Sequence, residues 1–246
     1  MKQLTFSRRR MLRFTGAAAL AGLFAPAVSF LPQARAAEAK KPLIVYFSMP
    51  ETDNPLHMTR EEENSTVVVN GKVLGNTQYV AMLIRQKTGG SLFRLEPVTP
   101  YPREHRALVS LAEKEQAGNR RPEIAGAPDL TASDTIFLGY PNWWADMPMI
   151  LYTFLEQQDL SGKTIIPFCT HGGSGFSRTI QTIQEKQPGA RVQKAGFAVY
   201  RQNMEAAPAG VTVWLRKTGY GLQLQSCRRG RAEQETGNFP GYADRA

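Results

Sequence analysis

The sequence predicts an α/β fold with a doubly wound, five-stranded parallel sheet that has helices on both faces. Short runs of apolar, β-branched and aromatic residues alternate along the chain with segments of helical periodicity, which is typical of consecutive βαβ units. The runs are apolar at most positions, a pattern typical of buried strands. The five predicted strands lie at residues 42–48, 91–97, 133–139, 163–169 and 190–200.

Helical segments are predicted after each strand. In the first of them, apolar residues recur at Val80, Leu83 and Ile84, and Asn76 or Thr77 is suited to cap its start. A Gly-Gly pair then ends the periodic pattern, as expected at a helix carboxyl terminus. The other predicted helices lie at residues 103–118, 147–158, 175–189 and 207–219, with Pro148 in a first turn.

Residues 49–74 form a long insertion between the first strand and its helix. Asn70-Gly71 lies between two apolar runs within it, which predicts a β-hairpin with a type I′ turn. The charged run Arg60–Asn64 is interpreted as a solvated surface segment.

The first 36 residues have the features of an export signal. Four arginines precede an apolar stretch at residues 14–31, and Ala34-Arg35-Ala36 fits a small-residue cleavage site. The Arg8-Arg9 pair resembles a twin-arginine export signal. A periplasmic location is therefore predicted, and the alternative is that an uncleaved signal anchors the protein to the membrane.

The rest of the chain is predicted to contain one domain, residues 37–218, followed by an irregular tail, residues 219–246. Six of the 30 basic residues lie before Glu38, which leaves 24 basic and 21 acidic residues beyond the signal. No basic patch with interleaved aromatic residues is present, so nucleic acid is not a predicted partner.

Three loops follow predicted strands at the carboxyl edge of the sheet, where doubly wound folds bind ligands. The first joins Ser48, through the insertion, to the helix start at Asn76-Thr77, and suits a phosphate group unless these residues serve only as a helix cap. The second, residues 139–148, contains Trp143 and Trp144. These rings either cover a flat ligand or pack under the following helix. The third loop, residues 169–177, is rich in glycine, which allows close approach to a ligand or forms a tight turn.

The motifs YFS, GNT, GYPNWW and FCTHGGSG occur in this order between Pro42 and Gly219. In this respect the sequence resembles the flavodoxin-like superfamily, and in particular bacterial flavodoxin-like proteins. The resemblance implies FMN as cofactor. It implies that Ser48, Asn76 and Thr77 contact the phosphate. The implied ring contacts are Pro141, Asn142, Trp143 and Trp144 on one side and Thr170, His171, Gly172, Gly173, Ser174 and Gly175 on the other.

The sequence favours an FMN-dependent redox protein that reduces quinones or similar small acceptors, of the NAD(P)H:quinone reductase type. His171 is the candidate catalytic residue, because histidine titrates near neutrality; the alternative is that it only caps its loop. Two other functions stay open: a one-electron carrier for a protein partner, and a flavin-free binding protein on the same scaffold. Electron donor and acceptor are small molecules or proteins, and a homodimer is compatible with the sequence.

Other chemistries fit the sequence poorly. A serine hydrolase needs G-x-S-x-G, but Phe176 occupies the last position and no histidine follows His171. The Ser161–Thr164 segment lacks the earlier glycine of a phosphate-binding P-loop. The three histidines are far apart in the sequence, so no metal site is predicted.

Overall fold

The computed structural model describes residues 40–220. The predicted export signal and residues 221–246 of the predicted tail lie outside the described residues. The strands are β1 (Leu43–Tyr46), β2 (Thr66–Val69), β3 (Lys72–Gly75), β4 (Ser91–Arg94), β5 (Thr135–Pro141), β6 (Thr164–His171), β7 (Arg191–Val192) and β8 (Phe197–Tyr200). The helices are α1 (Arg60–Ser65), α2 (Asn76–Thr88), α3 (His105–Ala117), α4 (Met149–Gln157), α5 (Thr179–Lys186) and α6 (Ala207–Lys217).

The central sheet has the strand order β4-β1-β5-β6, and β7 and β8 both pair with the outer side of β6. All of these pairs are parallel. Every residue of β1 is buried, as the continuous apolar run predicts. The predicted α/β fold with a parallel sheet is therefore confirmed.

The predicted fifth strand, residues 190–200, is wrong in one respect: it consists of two short strands, β7 and β8. The backbone of Ile165 in β6 hydrogen-bonds toward β7, because its carbonyl accepts from the N–H of Gln193 at 2.9 Å. Two residues further along β6, the backbone of Pro167 is directed toward the same neighbouring strands, but proline has no N–H to donate. The ladder is interrupted there and resumes at Phe168.

Helices cover both faces of the sheet and bury two separate apolar clusters. On one face, α3, α4 and α5 pack over side chains such as Val45 and Leu138. On the other face, α2 and α6 pack over Ile44, Phe137 and Ile166. No helix between residues 40 and 220 is long and apolar enough to cross a membrane.

The insertion contains the predicted hairpin and one helix that was not predicted. β2 and β3 pair antiparallel, and Asn70 and Gly71 have φ angles of 51° and 77°, as a type I′ turn requires. The charged run Arg60–Asn64, interpreted as a solvated surface segment, forms most of α1. Thr59 and Glu62 make a reciprocal capping box at its start, and no residue of α1 is buried.

The predicted ends of the helices agree with the structure to within a few residues. α2 begins at Asn76 with Gly75 as its N-cap residue, so neither Asn76 nor Thr77 is the cap. Gly89 ends this helix in the left-handed conformation, with φ of 67°. Pro148 is the N-cap residue of α4 and does not lie in its first turn.

Candidate functional site

A cavity of about 350 Å³ lies at the carboxyl ends of β1, β5 and β6. Its size is within the range of cofactor and ligand sites in proteins. It brings together most of the predicted site residues: Ser48, Asn76, Thr77, Pro141, Asn142, Trp143, Trp144, Thr170, His171 and Gly172. Gly173, Ser174 and Gly175, which were expected to line the ring, do not line this cavity.

Several lining residues were not predicted from the sequence. They come from the insertion, from one face of α3 and from the end of β8: Met49, Glu51, Glu61, Asn64, Ser65, His105, Leu108, Val109, Ala112 and Arg201. The α3 residues have the spacing i, i+3, i+4, i+7, which identifies one helix face but not what that face contacts.

The amino terminus of α2 forms one end of the cavity. The first N–H groups of a helix have no partner within it, and their dipoles favour an anion. The Oγ of Ser48 accepts a hydrogen bond from the N–H of Gln78 at 3.2 Å. The Oγ1 atoms of Thr77 and Thr170 are 2.8 Å apart and join this helix end to the carboxyl end of β6. These contacts fix the helix end against two of the three predicted loops.

Asn76 has a buried acceptor that no described residue satisfies. Its Nδ2 donates to the carbonyl of Asn64 at 2.8 Å, whereas its Oδ1 has no hydrogen-bond partner. Only 5% of Asn76 is exposed. An unsatisfied buried oxygen is costly, and a hydroxyl or N–H group of a ligand in the cavity would satisfy it.

Trp143 and Trp144 form an aromatic wall on a second side, and the two rings have different environments. The ring of Trp143 is partly buried and makes edge contacts with Phe47 and Tyr101, at centroid distances of 5.5 and 5.8 Å. Trp144 is 50% exposed, and its Nε1 donates to the carbonyl of Val109 at 3.4 Å.

Asp146 holds the conformation of this tryptophan loop. Reciprocal backbone hydrogen bonds of 2.8 and 2.9 Å join Trp143 to Asp146, and Trp144 and Ala145 between them have positive φ angles. The Oδ2 of Asp146 also accepts a hydrogen bond from the hydroxyl of Tyr152 at 2.7 Å. The wall is therefore anchored to α4 and is a rigid surface rather than a linker.

The end of β6, with Thr170 and His171, and the following Gly172 form the remaining side. Nδ2 of Asn142 donates to the carbonyl of Gly175 at 2.9 Å and ties the glycine-rich loop after β6 to the tryptophan loop. A Cβ atom on Gly172 would lie 3.2 Å from the guanidinium carbon of Arg201, so glycine allows this arginine to lie against the loop.

His171 caps its own loop in the structure. Its Nδ1 accepts a hydrogen bond from the N–H of Gly173 at 3.0 Å. Burial lowers the pKa of His171 below its ordinary value. Both observations favour a neutral imidazole at this position.

Between residues 40 and 220, no three His, Cys, Asp or Glu side chains are grouped closely enough to hold a metal ion. Cys169 is buried in the same region, and burial raises its pKa to about 12, so its thiol is protonated at neutral pH. The other cysteine, Cys227, lies outside the described residues.

The sequence and the fold are similar to those of known flavodoxin-like proteins. A model of the flavodoxin family matches residues 66–216. A solved structure from Bacteroides uniformis, assigned as a flavoprotein, is 26% identical with a TM-score of 0.53, and the match covers 70% of this chain and 97% of the other. A similar protein from Bacteroides eggerthii is 24% identical with a TM-score of 0.53, and the match covers 73% of this chain and 98% of the other. Among curated proteins, no sequence matches this chain.

Proposed function

This chain belongs to the flavodoxin family, and we propose on that basis that it is a redox protein with FMN in the cavity described above. The observation that carries the proposal is the arrangement of a helix amino terminus, an unsatisfied amide oxygen and an aromatic wall around one cavity. FMN, when bound, supplies the electron-transfer chemistry, and the protein supplies binding, orientation and electrostatics.

The chemistry of the lining residues fits the three parts of FMN. The amino terminus of α2, with Ser48 and Thr77, would hold the phosphate. The unpartnered Oδ1 of Asn76 would accept a hydrogen bond from a ribityl hydroxyl. The isoalloxazine ring would lie between the tryptophan wall and the end of β6 with Gly172. An apolar aromatic wall excludes water from one side of the ring and disfavours charge on it.

We further propose that the acceptor is a quinone or a similar small molecule. The insertion contributes Glu51, Glu61 and Asn64 to the cavity lining, so polar side chains line part of the site. A cavity lined in this way suits a small acceptor better than direct docking of a protein. A periplasmic location, proposed from the amino-terminal export signal, would bring the protein close to the membrane quinones.

Comparison of FMN with riboflavin tests this assignment, because the two differ only in the phosphate. We expect the protein to bind FMN about 100-fold more tightly than riboflavin, since charge-assisted hydrogen bonds contribute about 1.5–3 kcal/mol each. Titration of each flavin, followed by the quenching of its fluorescence, gives both dissociation constants.

The variant Gly75→Ala refines the test. A Cβ atom on Gly75 would lie 2.2 Å from the Oγ of Ser48 and would displace it from the helix end. We expect FMN affinity to fall by about tenfold and riboflavin affinity to stay the same. Equal affinity of the unaltered protein for both flavins would contradict the phosphate site, and binding of neither would contradict the proposed function.

A further inference from the structure

We propose that Glu51 and His105 form a proton-donating pair for the reduction of a quinone-class acceptor in this cavity. The proposal rests on the proposed function, because it takes reduced FMN as the source of electrons. It assigns the proton to a residue pair that no sequence motif identifies and that lies far from His171 in the sequence.

The two side chains meet at the cavity from different elements. Nδ1 of His105 lies 2.9 Å from Oε2 of Glu51, and both residues line the cavity together with Trp143. The side chain of Glu51 is only 9% exposed, whereas that of His105 is 44% exposed. The carboxylate is thus nearly buried, and the imidazole has access both to the cavity and to solvent.

Each member of the pair is held in place by its own backbone. The N–H of Glu51 donates to the Oγ of Ser65 at 3.1 Å, which attaches this residue to the end of α1. His105 is the first residue of α3, and the Glu104 carboxylate caps that helix by accepting from the N–H groups of Arg106 and Ala107. The contact between the two side chains therefore joins the insertion to α3.

The hydrogen bond leaves the other ring nitrogen available. Because Nδ1 of His105 is engaged with Glu51, Nε2 is the nitrogen that can donate to a ligand. Burial raises the pKa of Glu51, and the hydrogen bond with His105 partly lowers it. Nδ1 of His105 is therefore positioned to donate to the carboxylate of Glu51.

Neighbouring charged groups are distributed on both sides of the pair. Glu61 and Glu62 on α1 raise the pKa of Glu51 and add negative charge near the imidazole. On the other side, the charge of Arg103 is paired with Asp53. Glu104 and Arg106 flank His105 in the sequence, and the Glu104 carboxylate is engaged by the helix cap. The acidic side chains of α1 therefore lie on the Glu51 side of the pair.

The second histidine of the cavity lining is less suited to donate a proton. Nδ1 of His171 accepts a hydrogen bond from Gly173, and burial lowers the pKa of the ring. His105 has a carboxylate partner, whereas His171 forms no ion pair with a carboxylate between residues 40 and 220. The structure thus favours His105 over the residue that the sequence suggested.

Reduction of a quinone to its hydroquinone converts two C=O groups to C–O–H groups and consumes two electrons and two protons. Reduced FMN, when bound, would supply a hydride, which is two electrons and one proton. The quinone receives the second proton from Nε2 of protonated His105. Solvent then reprotonates the imidazole through its exposed side.

The test compares acceptors that differ in their need for protons. In the variant His105→Asn, the side-chain amide can still donate to Glu51 but cannot act as an acid. We expect the holoprotein with reduced FMN to reduce 1,4-naphthoquinone about 100-fold more slowly near neutral pH. Reduction of ferricyanide, which takes one electron and no proton, should stay unchanged.

His57→Asn is the matched control. His57 also lies in the insertion, has a φ angle of 56° that asparagine tolerates, and does not line this cavity. We expect it to reduce both acceptors at the unaltered rate.

A measurement without flavin turnover tests the pair itself. NMR of the apoprotein, with the His105 ring signals identified by their loss in His105→Asn, should show a proton on Nδ1, because Glu51 accepts from this nitrogen. The fraction of rings with a proton on Nδ1 should fall in Glu51→Leu. The same tautomer distribution in Glu51→Leu would overturn the pairing. If His105→Asn binds FMN and reduces naphthoquinone at the unaltered rate, the proposal is overturned but the proposed function is not. Failure of the unaltered protein to bind FMN would overturn both.

Discussion

Replacement of Trp143 by alanine is expected to weaken FMN binding by about 100-fold, the equivalent of about 3 kcal/mol. Its ring lines the cavity and is held at its edge by Phe47 and Tyr101, so its removal takes away the stacking surface and loosens its two supports. Trp143→Phe should retain most of the affinity. Flavin fluorescence titration of each variant gives the dissociation constants.

Trp214→Ala is the control for a general loss of stability. Trp214 packs against Phe137 and Phe197 on the opposite face of the sheet and does not line the cavity. We expect this variant to be less stable but to bind FMN within about threefold of the unaltered protein, because distant sites act independently. If Trp143→Ala bound FMN as tightly as Trp214→Ala, the aromatic wall would not be a flavin site.

Gly139→Ala is expected to destabilise the protein by about 3 kcal/mol, at the upper end of the range for overpacked cores. Gly139 is a buried residue of β5 and pairs with Phe168 of β6. A Cβ atom at this position would lie 2.0 Å from Cζ of the Phe168 ring. Urea unfolding, followed by circular dichroism, measures the loss in free energy of unfolding.

The double variant Gly139→Ala, Phe168→Leu tests whether the clash with the Phe168 ring causes this loss of stability. Leucine has no ring atoms at the position of the clash, so Gly139→Ala should cost at least about 1 kcal/mol less in the Phe168→Leu background. Equal costs in both backgrounds would show that contact with Phe168 is not the reason for glycine at residue 139.

The parts of the fold that the sequence predicted well are those determined by local patterns. β1, β5 and β6 are mostly apolar runs, which are typical of strands buried on both faces of a sheet. Asn70-Gly71 favours a tight hairpin, because both residues adopt positive φ angles readily. The interruption between β7 and β8 depends on Pro167 in a neighbouring strand. A pattern read along residues 190–200 does not contain that information.

The residues of the candidate site also fall into two groups, those that follow from local sequence patterns and those that meet only through the tertiary fold. Trp143 and Thr170 follow predicted strands, so the topology of a parallel sheet brings their loops to one edge. Glu51 and His105 are 54 residues apart and meet only because α1 and the start of α3 lie over the same cavity. α1 itself was missed because its charged residues have no apolar face, and its stability comes from the capping box at Thr59.

A crystal structure of the protein with FMN tests the proposed flavin site most directly. We expect the phosphate at the amino terminus of α2 and the isoalloxazine ring against Trp143. We also expect a ribityl hydroxyl within hydrogen-bond distance of Oδ1 of Asn76. FMN bound elsewhere, or the same cavity without flavin in crystals grown at saturating FMN, would contradict the proposed site.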